Sequence, residues 1–207
     1  MSKLLSPQDF YQQADALRNN QPYQASVHNG QQPHTFIISC CDSRVDPTLL
    51  FGSDMSEVFS LRIIANIVPA HSTTSTNCPT AAAILYAVKH LRIPQIIIVG
   101  HSACGGIHAL CQHQASGNDN AIDSWISTAV DSLTYPMPPC PEAICSPVDQ
   151  QSLRTLAYSY HNLENYPVVK EAIANNTLSI AAWFYQMEGT SLYTYDANKK
   201  TCTLAAY

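Results

Sequence analysis

The sequence predicts an α/β fold in which helices flank a mostly parallel central β-sheet. Short apolar runs typical of buried strands occupy residues 35–39, 58–64 and 95–100, and an Ala-rich stretch over residues 79–91, with Pro in its first turn, is typical of a helix. Strand, helix and strand in this order favour parallel pairing. Because 207 residues are enough to bury a core, we expect a single domain over residues 1–207.

A helix is predicted near the N-terminus, over about residues 6–20. Ser6 is a suitable N-cap, Pro7 stands at the first helical position, and apolar residues follow at helical spacing. We expect this helix to pack on a partner subunit. The polar segment that contains Asn29 and Gly30 is expected to form a loop before the first strand.

The C-terminal half is predicted to combine helices with two further strands. Helix patterns cover residues 122–133, 151–164 and 167–175, and strand patterns cover residues 179–185 and 191–195. The aromatic residues of these strands favour a sheet edge packed against a partner over a ligand platform. They are Trp183, Phe184, Tyr185, Tyr193 and Tyr195.

The low charge predicts an oligomer and argues against two classes of partner. Lys and Arg number 10 and Asp and Glu 15, for a net charge of −5, and charged residues make up only 12% of the chain beside 46% hydrophobic residues. No basic run is present to neutralise phosphates, so we expect neither a nucleic-acid nor a membrane partner. Because a monomer usually has a more charged exterior, we expect this chain to form an oligomer with copies of itself.

The sequence also predicts a cytoplasmic protein. Residues 1–20 are polar and amphipathic, unlike a signal peptide, and the apolar runs are far shorter than the ~20 residues needed to cross a bilayer. The eight cysteines are then expected to stay reduced, so their spacing is better explained by metal or redox chemistry.

Two motifs that follow predicted strands point to a metal site. Cys-Cys-Asp-Ser-Arg occupies residues 40–44, after the first strand, and His-Ser-Ala-Cys-Gly-Gly occupies residues 101–106, after the third. Because ligands gather at the carboxyl ends of parallel strands, we expect the two motifs to converge. Two thiolates and an imidazole suit a tetrahedral zinc ion that keeps one position open, and such soft donors disfavour magnesium and calcium.

Asp42 and Arg44 form the second part of the predicted site. Asp42 follows the candidate ligand Cys40 by two residues, within reach of the same metal, and Arg44 can pair bidentately with its carboxylate. The alternative is a surface ion pair of little energetic importance. We favour a functional pair because charges are scarce in this chain and these two stand beside a candidate ligand.

The combined motif closely resembles that of the β-class carbonic anhydrases. Cys-x-Asp-x-Arg is followed, 61 residues after Cys40, by His-x-x-Cys-Gly-Gly. The similarity covers most of the chain, since it extends to Arg62 with Asn66-Ile67-Val68, to Tyr86-Ala87-Val88 and to Trp183-x-Tyr185-x-x-x-Gly189.

The resemblance implies a zinc-dependent hydro-lyase that reversibly converts CO2 and water to bicarbonate and a proton. It assigns one zinc ion to Cys40, His101 and Cys104, and a catalytic dyad to Asp42 and Arg44. The fourth position would hold water, whose pKa zinc lowers toward roughly 7, so that a zinc-bound hydroxide attacks CO2. Asp42 would orient the hydroxide while Arg44 keeps Asp42 ionised. In the family's closed arrangement Asp42 itself becomes the fourth metal ligand.

Two departures from the family pattern bear on substrate and regulation. Ile63 stands where an Asn is common, which keeps open a hydrolase of CS2 or COS on the same fold. Ile37 replaces the Trp found in members with an inhibitory bicarbonate site, so we do not expect that regulation here. A zinc-binding protein without turnover is the alternative from another class.

The remaining thiols and imidazoles are not assigned to the site. His108 and Cys111 share a helical face with Cys104, and we expect them to pack beneath the site instead of forming a second ligand set. Cys140 and Cys145 are expected to be thiols in a Pro-containing loop. The sequence does not rank the candidate proton relays, which are His28, His34, His71 and His90.

Overall fold

The computed structural model of the protein describes residues 4–74, 76–112, 121–139, 141, 144 and 146–205. One six-stranded sheet has the strand order β2-β1-β3-β4-β5-β6. The first four strands in that order are parallel, and the last two pair antiparallel. The predicted α/β fold with a mostly parallel sheet is therefore confirmed. The strands are β1 (Thr35–Ser39), β2 (Val58–Arg62), β3 (Gln95–His101), β4 (Ser179–Gln186), β5 (Ser191–Asp196) and β6 (Thr201–Leu204).

Helices surround the sheet. Within the described residues, no helix is both long enough and apolar enough to span a bilayer. A short π-helical turn, Tyr86–His90, continues the fourth helix. The α-helices are α1 (Pro7–Asn19), α2 (Gln21–Asn29), α3 (Pro47–Phe51), α4 (Pro79–Leu85), α5 (Gly105–Gln112), α6 (Ala121–Ser127), α7 (Pro147–Glu164) and α8 (Pro167–Ala174).

Helix α2 corrects the predicted loop before the first strand. The Asn20 side chain accepts a hydrogen bond of 2.8 Å from the backbone N–H of Tyr23, and Pro22 lies in the first turn. Gly30 ends the helix with a positive φ of 83°, a conformation that glycine adopts without strain. The helix buries none of its residues in this chain, so it lacks the apolar periodicity by which a helix is predicted.

The aromatic C-terminal strands do not form the predicted sheet edge. Strand β4 lies inside the sheet, paired with β3 on one side and β5 on the other, and Phe184 is fully buried. The edges are β2 and the unpredicted strand β6. The aromatic side chains of β4 therefore contribute to packing within the subunit.

Helix α7 fixes the segment that leads from β2 to α4 against the main core. The Ser159 hydroxyl accepts from the N–H of Val68, and the Asn162 amide donates to the carbonyl of Val68. The Tyr166 hydroxyl donates to the carbonyl of Pro69 at 3.0 Å. A buried backbone segment needs such partners because unpaired polar groups are costly away from water.

A smaller apolar cluster lies at the carboxyl ends of β1 and β3 and includes Cys40 and Cys104. Helix α5 approaches this cluster through Gly106. A Cβ atom on Gly106 would lie 2.8 Å from Cγ2 of Ile64 and 3.1 Å from Cβ of Ala65, whereas a Cβ on Gly105 would meet nothing within 4 Å. Only glycine therefore allows α5 to pack this closely.

Gly106→Ala is expected to lower the free energy of unfolding by about 1–3 kcal/mol, because the added methyl overpacks the contact between α5 and Ile64. Gly105→Ala is the matched control. Its free energy of unfolding should stay within about 0.5 kcal/mol of that of the parent protein or rise slightly. Urea unfolding followed by circular dichroism measures both. Equal unfolding free energies for the two variants would contradict this close approach.

Candidate metal centre

Strand register brings the two motifs together. In the parallel pairing of β1 with β3, Ser39 lies opposite Val99, so Cys40 and His101 leave adjacent strands at the same edge of the sheet. Neighbouring strands are about 4.8 Å apart. The predicted convergence of the two motifs is therefore present in the fold.

The side chains of Cys40, His101 and Cys104 meet in a buried cluster. Their candidate ligand atoms all lie within 4.8 Å of one another. The two Sγ atoms are 3.9 Å apart. Two Zn–S bonds of about 2.3 Å at a tetrahedral angle would place the sulfurs about 3.8 Å apart, so the pair fits the dimensions of a zinc site.

His101 has the tautomer and orientation of a metal ligand. Its ring is fully buried, and Nδ1 lies 2.8 Å from the carbonyl oxygen of Ser102. Because a carbonyl only accepts, Nδ1 carries the proton and Nε2 keeps a free lone pair. Nε2 has no hydrogen-bond partner although it is buried. Such an orphaned lone pair beside two thiols is the arrangement that metal-ligating histidines adopt.

The electrostatics of the two thiols also favour a cation. A hydrogen bond from Cys104, with further ones from the backbone of Asp42 and Ala65, outweighs the effect of burial and lowers the pKa of Cys40 to about 4. The same hydrogen bond raises the pKa of Cys104, and burial and the charge on Cys40 add to the increase. The pair thus supplies one thiolate readily, and a second thiolate at this distance needs a positive charge beside it.

Asp42 turns both carboxylate oxygens toward Arg44. Arg44 Nη2 donates to Oδ2 at 2.6 Å, and Nε and the backbone N–H both donate to Oδ1. The hydrogen bonds from the Arg44 side chain hold the pKa of Asp42 well below its usual range. Asp42 is only 15% exposed while Arg44 is 54% exposed, so the carboxylate lies between the buried thiols and a more accessible guanidinium.

Arg62, at the end of β2, braces the backbone of the first motif. Its Nε donates to the carbonyl of Cys40, and its Nη2 donates to the carbonyl of Asp42 at 2.7 Å. Its remaining nitrogen, Nη1, lies 3.3 Å from a carboxylate oxygen of Asp46. The Arg62 side chain therefore fixes the backbone of both Cys40 and Asp42, a role that the sequence did not indicate.

The side chains that surround Cys40, His101 and Cys104 include apolar residues. Ile64 and Ala65 pack with the cluster that contains Cys40 and Cys104, and the Trp125 indole fixes the backbone there by donating to the carbonyl of Ile64 at 2.9 Å. Ile63 packs instead against the main core. Ile63 thus packs with a different apolar cluster from the one that contains the two thiols.

The structure places His108, Cys111 and His34 apart from this cluster. His108 and Cys111 are exposed, so the expectation that they pack beneath the site is wrong, because the buried face of α5 is formed by Ile107 and Leu110. His34 precedes β1, about 20 Å from Cys40 at the rise of an extended strand. Cys140 and Cys145 lie outside the described residues.

Two residues of α7 that the sequence did not single out contact the second motif. Asp149 accepts from the N–H of Ala103, and Ser152 donates to the carbonyl of His101. The spacing of Asp149 from Ser146 matches a helix N-terminus, and the backbone N–H of Asp149 does bond to the Ser146 hydroxyl. No local pattern indicates that the carboxylate reaches a loop 46 residues away.

Comparison with known proteins identifies the family. The family model described as carbonic anhydrase matches residues 35–192. The carbonic anhydrase of Helicobacter pylori strain J99 is 30% identical over 178 residues, which cover 83% of this chain and 80% of that protein. The chain therefore belongs to the carbonic anhydrase family, and the predicted family and enzyme class are confirmed.

Solved structures agree on the fold. The β-carbonic anhydrase CcaA superposes with a TM-score of 0.80 at 23% identity, over 96% of this chain and 98% of that one. A tetrameric β-carbonic anhydrase of the ascomycete Sordaria macrospora superposes with a TM-score of 0.70 at 26% identity, over 90% and 92% of the respective chains. The fold of this chain is thus that of the β class.

Proposed function

We propose that the protein catalyses the reversible hydration of CO2 to bicarbonate and a proton, with one Zn²⁺ bound by Cys40, His101 and Cys104. The observation that carries the proposal is the convergence of the three ligand atoms, with the lone pair of His101 Nε2 free beside two thiols 3.9 Å apart. Family membership supports the reaction. When bound, Zn²⁺ lowers the pKa of a water molecule toward about 7 and so makes hydroxide available at neutral pH.

The dyad orients the nucleophile. Asp42 accepts a hydrogen bond from the attacking hydroxide through its carboxylate, and its low pKa keeps that acceptor ionised at neutral pH. Arg44 donates to both carboxylate oxygens, which corresponds to the open arrangement, and Oδ2, with a single donor, keeps a lone pair for the hydroxide. The apolar wall at Ile64 and Ala65 suits linear, uncharged CO2.

The hydration of CO2 changes no oxidation state and needs no redox partner. The hydroxide oxygen forms a bond to the carbon of CO2, one C–O π pair moves to oxygen, and bicarbonate results. The proton that the water lost passes to solvent or buffer. In the reverse direction the same C–O bond breaks, CO2 leaves, and the remaining hydroxide takes up a proton to give water.

Cys40→Ser and Cys104→Ser are each expected to reduce bound zinc to well below one ion per chain and to abolish CO2 hydration, because serine oxygen is a poor replacement for a thiolate ligand. Cys41→Ser is the matched control, since Cys41 is exposed and adjacent to the site. Elemental analysis and stopped-flow hydration give the two readouts. Full zinc content in both ligand variants would refute the ligand assignment. Turnover of CS2 without hydration of CO2 by the parent protein would refute CO2 as the substrate.

Asp42→Ala and Arg44→Ala are each expected to lower kcat by on the order of 10²-fold while zinc largely remains. Loss of Asp42 removes the acceptor that orients hydroxide, and loss of Arg44 frees Asp42 to enter the open metal position. Because both changes disable the same nucleophile, the double variant should be about as impaired as the singles. Stopped-flow measurement of kcat for the parent, both single variants and the double variant gives this double-mutant cycle. If the two single losses in kcat multiplied in the double variant, Asp42 and Arg44 would not act as a dyad.

We also infer that residues 1–207 form one domain and that helix α1 packs on a partner subunit. Within this chain α1 buries only Ala14, whereas Leu5, Phe10 and Tyr11 are 91%, 59% and 68% exposed. Apolar surface of this kind marks an interface. The tetrameric relative from Sordaria macrospora supports a homodimer or a dimer of dimers.

Light scattering tests this assembly. The parent protein should have at least the mass of a dimer at micromolar concentration, and Phe10→Ser combined with Tyr11→Ser should shift it toward the monomer. Gln12→Ser with Gln13→Ser, which changes exposed polar positions of the same helix, is the matched control. A fully active monomer of the parent protein would contradict the inference.

A cytoplasmic location is part of the same proposal. Among the described residues, Cys40, Cys41, Cys78, Cys104 and Cys111 are thiols that form no disulfide. Free thiols persist in reducing compartments. Fractionation of cells that make the protein tests this location.

A further inference from the structure

The segment between two of the metal-site residues has a backbone conformation that needs support. His101 is the last residue of β3 and Cys104 immediately precedes α5, so only two residues connect them. One of the two, Ala103, has a φ of +50°, in the left-handed region. A residue with a Cβ atom occupies this region at a cost, so contacts from elsewhere must hold it.

Helix α7 supplies those contacts from one face. The backbone N–H of Ala103 donates to Oδ1 of Asp149 at 2.7 Å. One turn further along the helix, the buried Ser152 hydroxyl donates to the carbonyl of His101 at 2.9 Å. Asp149 and Ser152 thus hold Ala103 and His101, while the N–H of Ser102 between them donates to the carbonyl of Tyr185 on β4.

The hydrogen bond to Asp149 differs from the one to Ser152 in two ways. Its acceptor is a carboxylate, and the residue that donates to it, Ala103, also contacts Arg44. A carboxylate that accepts from an N–H makes a charge-assisted hydrogen bond, which is stronger than one between neutral groups. The carbonyl of Ala103, on the other side of the same residue, accepts from Nη2 of Arg44 at 3.2 Å. Ala103 therefore lies between Asp149 and the guanidinium that pairs with Asp42.

We propose that Asp149 is a positioning residue for the metal centre, an inference that rests on the proposed zinc site. Its carboxylate holds Ala103 in the left-handed conformation, so that His101 and Cys104 present their side chains at ligand spacing and the Ala103 carbonyl meets Arg44. Asp149 contacts neither the ligand atoms nor the dyad directly and acts through the backbone of Ala103.

A purely structural role for Asp149 makes a different prediction. Asp149 lies in the first turn of α7, where a negative charge stabilises the helix dipole. If that were its role, Asp149→Asn and Asp149→Ala would have similar effects, because both remove the charge. If positioning is its role, Asn rescues most of the function, since its amide oxygen still accepts from Ala103, whereas Ala provides no acceptor.

The test measures release of Zn²⁺ from the zinc-loaded full chain to a chromophoric chelator, with no activity assay. Asp149→Ala is expected to release Zn²⁺ about 10–100-fold faster than the parent protein, because loss of a residue that orients ligands lowers metal affinity by about that factor and the association rate should not change. Asp149→Asn should stay within about 3-fold of the parent rate. Glu164→Ala, which removes an exposed carboxylate at the other end of the same helix, is the control and should not change the rate.

Cobalt substitution provides a second readout at the ligands themselves. The visible absorption of the Co²⁺-loaded protein should change in Asp149→Ala and remain unchanged in Asp149→Asn. Should Asp149→Ala not fold, Asp149→Gln serves in its place, because its amide lies one methylene too far to occupy the same position. The proposal would be overturned if Asp149→Ala and Asp149→Asn released Zn²⁺ at equal rates, or if Asp149→Ala released it as slowly as the parent protein. A parent protein that fails to retain Zn²⁺ would instead overturn the proposed metal site, and the role of Asp149 with it.

Discussion

The parallel pairing of β1 with β3 is the constraint on which the rest of the site depends. The pairing sets Ser39 opposite Val99, so the residues that follow leave the sheet side by side. Cys40 and His101 then require no long excursion to approach one another. A shift of register by one residue would turn every side chain of the shifted strand to the other face of the sheet and so change the direction in which Cys40 or His101 leaves it.

Charge balance explains why the surroundings of the site contain arginines. With zinc bound, two thiolates and the Asp42 carboxylate carry three negative charges, and Zn²⁺ and the Arg44 guanidinium carry three positive ones. Arg62 contributes in another way, since it donates to the carbonyls of Cys40 and Asp42 and pairs with Asp46. These ionic contacts at one sheet edge stand out in a chain with only 12% charged residues.

Sequence patterns predicted what depends on local periodicity and on motif spacing. Strand β1 matches its predicted bounds, and α1 matches to within one residue at each end. Helix α2 was not predicted because it buries no residue in this chain and therefore has no apolar stripe. The aromatic strand β4 was assigned to an edge because composition does not reveal which strands flank it. The same limit applies to Asp149, whose partner Ala103 is distant in sequence and is brought near only by tertiary packing.

A crystal structure of the zinc-loaded protein, with anomalous data collected at the zinc edge, tests the central claim most directly. The account predicts one anomalous peak per chain, about 2.3 Å from the sulfurs of Cys40 and Cys104 and about 2.0 Å from Nε2 of His101, with Asp42 still paired to Arg44. A peak at any other group of side chains, or the Asp42 carboxylate as a permanent fourth ligand, would contradict it.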